Sequence, residues 1–244
     1  MKPEEMNKGR NALLAVFLGL AMPGLGQIYN GELVKGISYF IIMLSAFLIG
    51  ARSTLLLPDG TLIVGAIATI LAGIAVYAGS IIDAYRKASK SGAMYSLTAY
   101  NRWYFYLAVW LLGLIIGNAT QGYVGNNWLE AFVIRTNSMA PAIVKGDRIL
   151  ADKTAYNRTP PRKGDIVIFI YPDDRSIKFI KRVEALPGET FVDTDGASKK
   201  IPHGYIYVLG DNRNNSQDSR HFGLIPLRDV IGKMRQKYYS SSGK

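Results

Sequence analysis

The sequence predicts a mixed fold, with an N-terminal α-helical transmembrane region followed by a mainly antiparallel β-domain. Hydrophobic residues make up 49% of the 244-residue chain, and the long apolar runs are confined to residues 1–120. From about residue 128, short β-branched segments alternate with turns rich in Gly, Pro and Asp, and the gaps are too short for crossover helices. We therefore expect a membrane region at 1–120 and a β-domain at 128–240.

Three segments of the membrane region are predicted to cross a bilayer. They are 34–56, 62–82 and 103–120. Each is about long enough for the ~30 Å of hydrocarbon in a bilayer. The segment 11–30 is also apolar, but it is interrupted at Pro23-Gly24-Leu25-Gly26. It is therefore either a fourth span or a re-entrant segment.

The loop charges predict how the chain is oriented. The loop 83–102 carries four basic residues against one acid, which marks it as cytoplasmic. The span that begins at Trp103 then runs outward and delivers the β-domain to the extracytoplasmic side. The net charge of +11 suits an anionic membrane surface, and no nucleic-acid-binding module is recognisable.

Composition excludes several kinds of chemistry. The chain has no cysteine, so disulfides, zinc–thiolate sites and cysteine nucleophiles are ruled out. The two histidines, His203 and His221, stand in polar surroundings that are typical of surface loops. We expect no metal and no cofactor.

One strand-like segment carries a lysine on its apolar side. Its first face holds Ile177, Phe179, Lys181 and Val183, and its second holds Lys178, Ile180 and Arg182. Burial disfavours an ammonium ion and lowers a lysine pKa from about 10.4. A lysine that is neutral near physiological pH can take a proton from a serine hydroxyl. Ser138 is the candidate nucleophile, so the pair indicates a Ser–Lys hydrolase.

Three blocks of sequence resemble those of bacterial type I signal peptidases and occur in the same order. They are Ser138-Met139-x-Pro141 followed by Gly146-Asp147; Lys181-Arg182-Val183-x-x-Leu186-Pro187-Gly188-Glu189; and Gly210-Asp211-Asn212-Arg213-x-Asn215-Ser216-x-Asp218-Ser219-Arg220. The third block on its own is also typical of a polar turn. The resemblance covers roughly residues 128–238. It leaves out the first 120, where members of the family commonly carry only one or two spans.

The resemblance implies a role for each matching residue. Ser138 is similar to the nucleophile of the family and Lys181 to its general base. The Ser138 N–H and the Thr136 hydroxyl correspond to the oxyanion hole, although Asn137 stands where glycine is common. Ser216 resembles the residue that orients the lysine amine. Asp218 with Arg220, and Asp211 with Arg182, resemble supporting ion pairs. The shallow substrate pockets are expected around Ile134, Met139, Ile143 and Phe179, which are also ordinary core residues by type.

The resemblance also implies substrates and a location. The substrates would be secreted preproteins with signal peptides and small residues at −1 and −3, cleaved through an acyl-enzyme. The protein would be a multi-pass protein of the bacterial cytoplasmic (inner) membrane with its catalytic domain on the periplasmic side. Its partners would be the lipid bilayer and, as a further candidate, the secretion translocon.

Three alternatives stay open from sequence. A self-cleaving Ser–Lys repressor is disfavoured by the predicted spans. A membrane scaffold or regulatory protein with an inactive peptidase-like domain is disfavoured by the intact Ser138, Lys181 and Ser216. Transport or lipid binding by the membrane region has no motif in its favour.

Overall fold

The structure is a computed structural model that describes residues 10–90, 100–192 and 196–241. The described residues form two compact units. One holds the residues up to Leu57 and from Val64 to Val124, and the other holds 58–63 and the residues from Gly125 onward. The first unit is helical, and the second contains the β-domain.

Among the residues that the structure describes, five helices precede the β-domain. They are α1 (Ala12–Ala21), α2 (Leu25–Tyr29), α3 (Leu33–Thr54), α4 (Leu62–Lys90) and α5 (Trp103–Asn127). Three of them, α3, α4 and α5, are long and apolar enough to cross a membrane. Both α4 and α5 continue beyond the predicted ends of their spans, at residues 82 and 120. The expected cytoplasmic loop therefore begins with helix, and its part at 91–99 lies outside the described residues.

The segment 11–30 forms a helical hairpin. The first helix, α1, has 10 residues, and the chain turns before α2 at Gly24, whose φ is 95°. A Cβ on Gly24 would lie 2.0 Å from the carbonyl oxygen of Gly36, so α3 can approach this turn closely only because both residues are glycine. Buried Gln27 donates to the carbonyl of Ser80 at 2.7 Å, which ties α2 to α4.

The described part of the β-domain contains nine strands. They are β1 (Leu129–Val133), β2 (Arg148–Asp152), β3 (Ile166–Ile170), β4 (Lys178–Ala185), β5 (Thr190–Val192), β6 (Ser198–Lys200), β7 (Tyr205–Leu209), β8 (Ile225–Pro226) and β9 (Val230–Tyr239). Seven form one sheet in the order β1-β2-β9-β3-β4-β7-β8, and β5 pairs with β6. All pairings between these described strands are antiparallel, which confirms the predicted fold class.

Alternation along the strands gives the sheet two apolar faces. Ile149, Ala151 and Ile168 pack in a cluster with Ile134, Met139 and Ile143 from the segment after β1. Val167, Phe169 and Val183 pack on the other face with residues of β7 and β8. Lys181 has the same strand parity as Val183, so its side chain is directed towards this second face.

Candidate active site

Ser138 lies in the loop between β1 and β2. The loop is closed by backbone hydrogen bonds, because Ile134 N donates to Asp147 O at 2.9 Å and Gly146 N donates to Ile134 O at 2.8 Å. Met139 is fully buried in the core beneath the loop, and Ser138 itself is only 6% exposed. The serine is therefore held by a closed loop on the protein core.

Lys181 lies in the middle of β4. Its side chain is 4% exposed, as its place in the alternation predicts. The amine lies 5.2 Å from the centroid of the Phe179 ring. The Lys181 amine therefore lies near an aromatic ring and has little access to water.

The structure brings Ser138 and Lys181 together. Lys181 Nζ donates to Ser138 Oγ at 2.8 Å, although 43 residues separate the two in sequence. Lys181 Nζ also donates to the carbonyl of Ile180 at 3.1 Å. Thr136 Oγ1 lies 3.3 Å from Ser138 Oγ. The serine hydroxyl thus has an amine and a second hydroxyl within hydrogen-bond distance.

The pKa of Lys181 is lowered to about 8. Burial lowers the pKa of the amine because the ammonium form is poorly solvated, and the negative charge of Asp218 opposes this effect. With this pKa, about one amine in ten is neutral at pH 7 and about half at pH 8. Lys181 can therefore accept a proton under ordinary conditions.

The loop after β7 supplies the charge next to Lys181. Asp218 is fully buried, accepts from Gly210 N at 3.0 Å and pairs with Arg220 Nε at 2.8 Å. Burial would raise the pKa of Asp218, but hydrogen bonds from Arg220 and Gly210, together with the nearby Ser216 hydroxyl, outweigh it and lower the pKa to about 2. Asp218 also caps the short helix α6 (Ser219–Phe222). The carboxylate is thus ionised throughout the physiological range.

The second predicted ion pair joins β4 to the same loop. Arg182 donates to both oxygens of Asp211, through Nε at 2.8 Å and through an Nη atom at 2.7 Å. Arg182 also donates to the carbonyl of Gly164 at 2.8 Å. This two-point contact fixes the start of the loop beside the strand that carries Lys181.

The hydroxyl of the half-buried Ser216 is buried near these groups, but the structure gives no hydrogen bond between this hydroxyl and Lys181 in the described part of the chain. Its Oγ has no hydrogen-bond partner of ordinary geometry among the described residues, although it lies near enough to Asp218 to help lower the pKa of that carboxylate. A Cβ on Gly210 would lie 2.1 Å from Ser216 Oγ and 2.5 Å from the Ser138 carbonyl oxygen. Gly210 therefore lies between Ser216 and the backbone of the Ser138 loop.

The four residues expected around substrate pockets fall into two groups. Ile134, Met139 and Ile143 are at least nine-tenths buried, in the core under the Ser138 loop. Phe179 is half-buried and stacks on Tyr171, with ring centroids 4.4 Å apart. Asn137 accepts a hydrogen bond from Lys145 N through its side chain at 2.8 Å, so its amide helps close the loop.

Sequence reasoning missed the support behind the Ser138 loop. Asp147 is fully buried and accepts from Val144 N at 3.0 Å and Ser241 N at 2.9 Å. Ser241 Oγ also donates to the carbonyl of Lys145 at 2.6 Å. Asp147 was visible in a motif, but no local pattern indicates that Ser241, 94 residues later, completes the contact.

The fold and the site together define a membrane-associated serine hydrolase with a buried lysine beside its serine. Residues 106–197 and 189–239 match the family described as signal peptidase, peptidase S26, and the chain belongs to that family. It is accordingly a serine endopeptidase of the signal peptidase I type.

Curated relatives agree with this assignment. Probable signal peptidase I-1 of Synechocystis sp. is 34% identical over 142 residues, covering 46% of this chain and 72% of that protein. Signal peptidase I of Leptolyngbya laminosa is 34% identical over 139 residues, covering 45% and 68%. Thylakoidal processing peptidase 1 of Arabidopsis thaliana is 32% identical over 141 residues, covering 45% and 42%.

Proposed function

We propose that the protein removes signal peptides from secreted preproteins by cleaving after small residues, with Ser138 as nucleophile and Lys181 as general base. The observation that carries the proposal is the 2.8 Å contact between Lys181 Nζ and Ser138 Oγ, made by an amine whose pKa is about 8. Few serine hydroxyls have such a base within reach, and neither histidine is needed for this chemistry.

The proposed reaction has two stages. Neutral Lys181 takes the Ser138 proton while Oγ attacks the scissile carbonyl, and the Ser138 N–H and the Thr136 hydroxyl stabilise the oxyanion. The resulting ammonium then gives its proton to the departing amine, which leaves an acyl-enzyme. Neutral Lys181 next takes a proton from water while the hydroxide attacks the ester. The ammonium then gives this proton to Ser138 Oγ as the ester bond breaks, which releases the signal peptide with a free carboxyl end and restores Ser138 and neutral Lys181. No metal or cofactor takes part in this scheme.

Two free strand edges support binding of an extended peptide. Among the described strands, β1 pairs only with β2, and β7 pairs with β4 only from Arg182 onward. The part of β4 at 178–181 therefore has a free edge opposite β3 that leads directly to Lys181. A peptide added at this edge by backbone hydrogen bonds would bring its carbonyl to Ser138 and its small side chains towards Phe179 and Ile134.

We assign supporting roles to the polar loop. Asp211 would hold Arg182 and thereby the middle of β4, and Asp218 with Arg220 would fix the charge near Lys181. Ser216 would orient the lysine amine once substrate is bound, because its buried hydroxyl lies beside the Ser138 loop. These groups maintain geometry and electrostatics rather than form bonds to substrate.

We further propose that the chain is a multi-pass protein of the cytoplasmic membrane with the β-domain on the extracytoplasmic side. The three apolar helices and the basic residues at the end of α4, Lys87 and Lys90, support this orientation. On that side the β-domain would meet preproteins as they emerge from the secretion translocon.

The test is cleavage of a model preprotein with an Ala-x-Ala site by the full-length protein in detergent. Wild type should cut after the second alanine, and Ser138→Ala and Lys181→Ala should each lose at least about a thousandfold in kcat. Lys200→Ala, at an exposed strand position, is the matched control and should cut normally. A folded wild type that cuts none of several preproteins would favour the inactive-scaffold alternative.

A further inference from the structure

A second side-chain contact joins the strands that lead to Ser138 and Lys181. Lys178 Nζ, at the start of β4, donates to Glu130 Oε1 on β1 at 2.9 Å and lies 5.0 Å from the centroid of the Phe132 ring. In the sheet, β2, β9 and β3 separate β1 from β4. The contact therefore exists because the sheet curls, and it bridges the same two strands at a distance from the serine.

Glu130 forms ion pairs with two lysines, so the group of three side chains has a net positive charge. Its second carboxylate oxygen accepts from Lys153 Nζ at 2.8 Å. Both oxygens are thus occupied, and one negative charge is shared between two positive ones. The Lys178 side chain is 42% exposed, whereas that of Lys153 is 16% exposed. Lys178 is therefore the cation of this group that a bound peptide can reach.

The residue spacing along β4 gives the distance of Lys178 from the reacting atoms. Lys178 precedes Lys181 by three residues, which corresponds to about 10 Å of extended chain. A peptide extended along the free edge of β4, with its −1 carbonyl at Ser138, would bring its −4 residue level with Lys178. Phe179, which is expected at the pockets for small residues, lies between Lys178 and Lys181 in β4. The residues upstream of the cleavage site would therefore extend from Lys181 past Phe179 towards Lys178.

The backbone of β4 is oriented to receive such a peptide. Tyr171 N donates to Ile177 O at 2.9 Å on the side of β3. Since successive residues of a strand direct their backbone groups to opposite edges, Lys178 and Ile180 direct theirs to the free edge. A peptide strand that forms hydrogen bonds with the backbone of Lys178 therefore lies next to the Lys178 side chain.

We propose that Lys178, held by Glu130, is a specificity-determining residue that reads the charge of the preprotein at position −4. This inference rests on the proposed function and adds a selectivity that small residues at −1 and −3 do not provide. An acidic side chain at −4 gains an ion pair with Lys178. A basic one meets the net positive charge of the group and is disfavoured.

The experiment compares three preproteins that differ only at −4, with Asp, Asn or Lys, cleaved by the full-length protein in detergent at low ionic strength. In wild type, kcat/KM for Asp should exceed that for Lys by about fivefold, the scale expected of a partly exposed ion pair. Lys178→Gln should bring the ratio close to one, and Lys178→Glu should invert it. Lys200→Glu changes the same charge at a distant exposed position and should keep the wild-type ratio.

The ratio cancels any general loss of activity, so a variant that folds less well still reports on Lys178. Equal cleavage of the three substrates by wild type, or a ratio that Lys178→Glu leaves unchanged, overturns the inference while cleavage of the Asn substrate still supports the proposed function. Failure to cut even the Asn substrate in a Ser138-dependent way overturns the proposed function itself. The two failures are therefore distinguishable in one data set.

Discussion

The buried carboxylate of Asp218 counteracts the effect of burial on Lys181. Burial lowers the pKa of the lysine amine, the charge of Asp218 raises it, and the result is a pKa of about 8. Arg220 in turn neutralises part of the Asp218 charge through a contact of 2.8 Å. The pKa of the amine next to Ser138 is thus lowered mainly by burial, and an ion pair on the loop after β7 limits how far it falls.

The first prediction concerns the pH dependence of cleavage. If Lys181 must be neutral to act as base, kcat/KM rises about tenfold per pH unit at low pH and levels off above an apparent pKa of about 8. The measurement is kcat/KM of the wild-type protein on a model preprotein from pH 5.5 to 9.5. A profile that is flat from pH 6 to 8 would contradict Lys181 as the base.

The second prediction concerns the ion pair. Asp218→Asn removes the charge that raises the pKa of Lys181, so the apparent pKa of kcat/KM should fall and activity should extend to lower pH. Arg220→Gln leaves the Asp218 charge less compensated, so the apparent pKa should rise. Opposite shifts are expected of an electrostatic role. Two shifts in the same direction, or a loss of rate with no change in the profile, would indicate that the pair only supports the fold.

The third prediction concerns stability. A group whose pKa is lower in the folded than in the unfolded chain binds fewer protons when folded, so it destabilises the fold at low pH. A pKa lowered from 10.5 to about 8 corresponds to about 3 kcal/mol. Lys181→Met should therefore raise the free energy of unfolding by up to this amount below pH 8, and the gain should shrink as the pH rises from 8 to 10.5.

Denaturation in detergent at pH 6, 8 and 10 would check this third prediction. Lys200→Met replaces an exposed lysine and is the matched control, with no change expected at any of these values. If Lys181→Met loses activity without a pH-dependent gain in stability, burial of the Lys181 amine does not lower the free energy of unfolding, and the prediction is wrong.

Much of the site could be predicted from local sequence. Alternation with a period of two placed Lys181 on the same side as Val183, and both are buried in the structure. The positive φ angles at Gly146, Gly164 and Gly188 fall in segments that sequence marked as turns. The sequence pattern also predicts strands at 166–170 and 205–209, and β3 and β7 have these ends because each is bounded by Gly, Pro or Asp residues that favour turns.

Other features depend on contacts between distant segments and had no local signal. The sequence pattern predicts a strand at 132–134, whereas β1 begins three residues earlier and ends one residue earlier, because its partner β2 sets the register. The short pair β5 and β6 and the helix α6 were not predicted, since segments of three or four residues carry too little periodicity. The curl that joins Glu130 to Lys178 arises from the twist of the whole sheet.

The fourth prediction concerns Gly210, which lies between two loops of the site. A Cβ at this position would come within 2.1 Å of Ser216 Oγ and 2.5 Å of the Ser138 carbonyl oxygen. The carbonyl belongs to the backbone of the candidate nucleophile and cannot rotate away. Gly210→Ala should therefore displace Ser138 from Lys181 and lower kcat at least about a hundredfold, since a displacement of about 1 Å can cost that much.

Gly125→Ala is the control for this fourth prediction, because a Cβ on Gly125 meets nothing within 4 Å and the residue lies within α5. It should keep the wild-type rate. Labelling of Ser138 by a serine-reactive acylating probe shows whether the Gly210→Ala substitution displaces the nucleophile. A folded variant that labels slowly has a displaced nucleophile, as expected. If it labels and cleaves at the wild-type rate, the loop carrying Ser216 can move away from the serine, and the close packing of the two loops does not position Ser138.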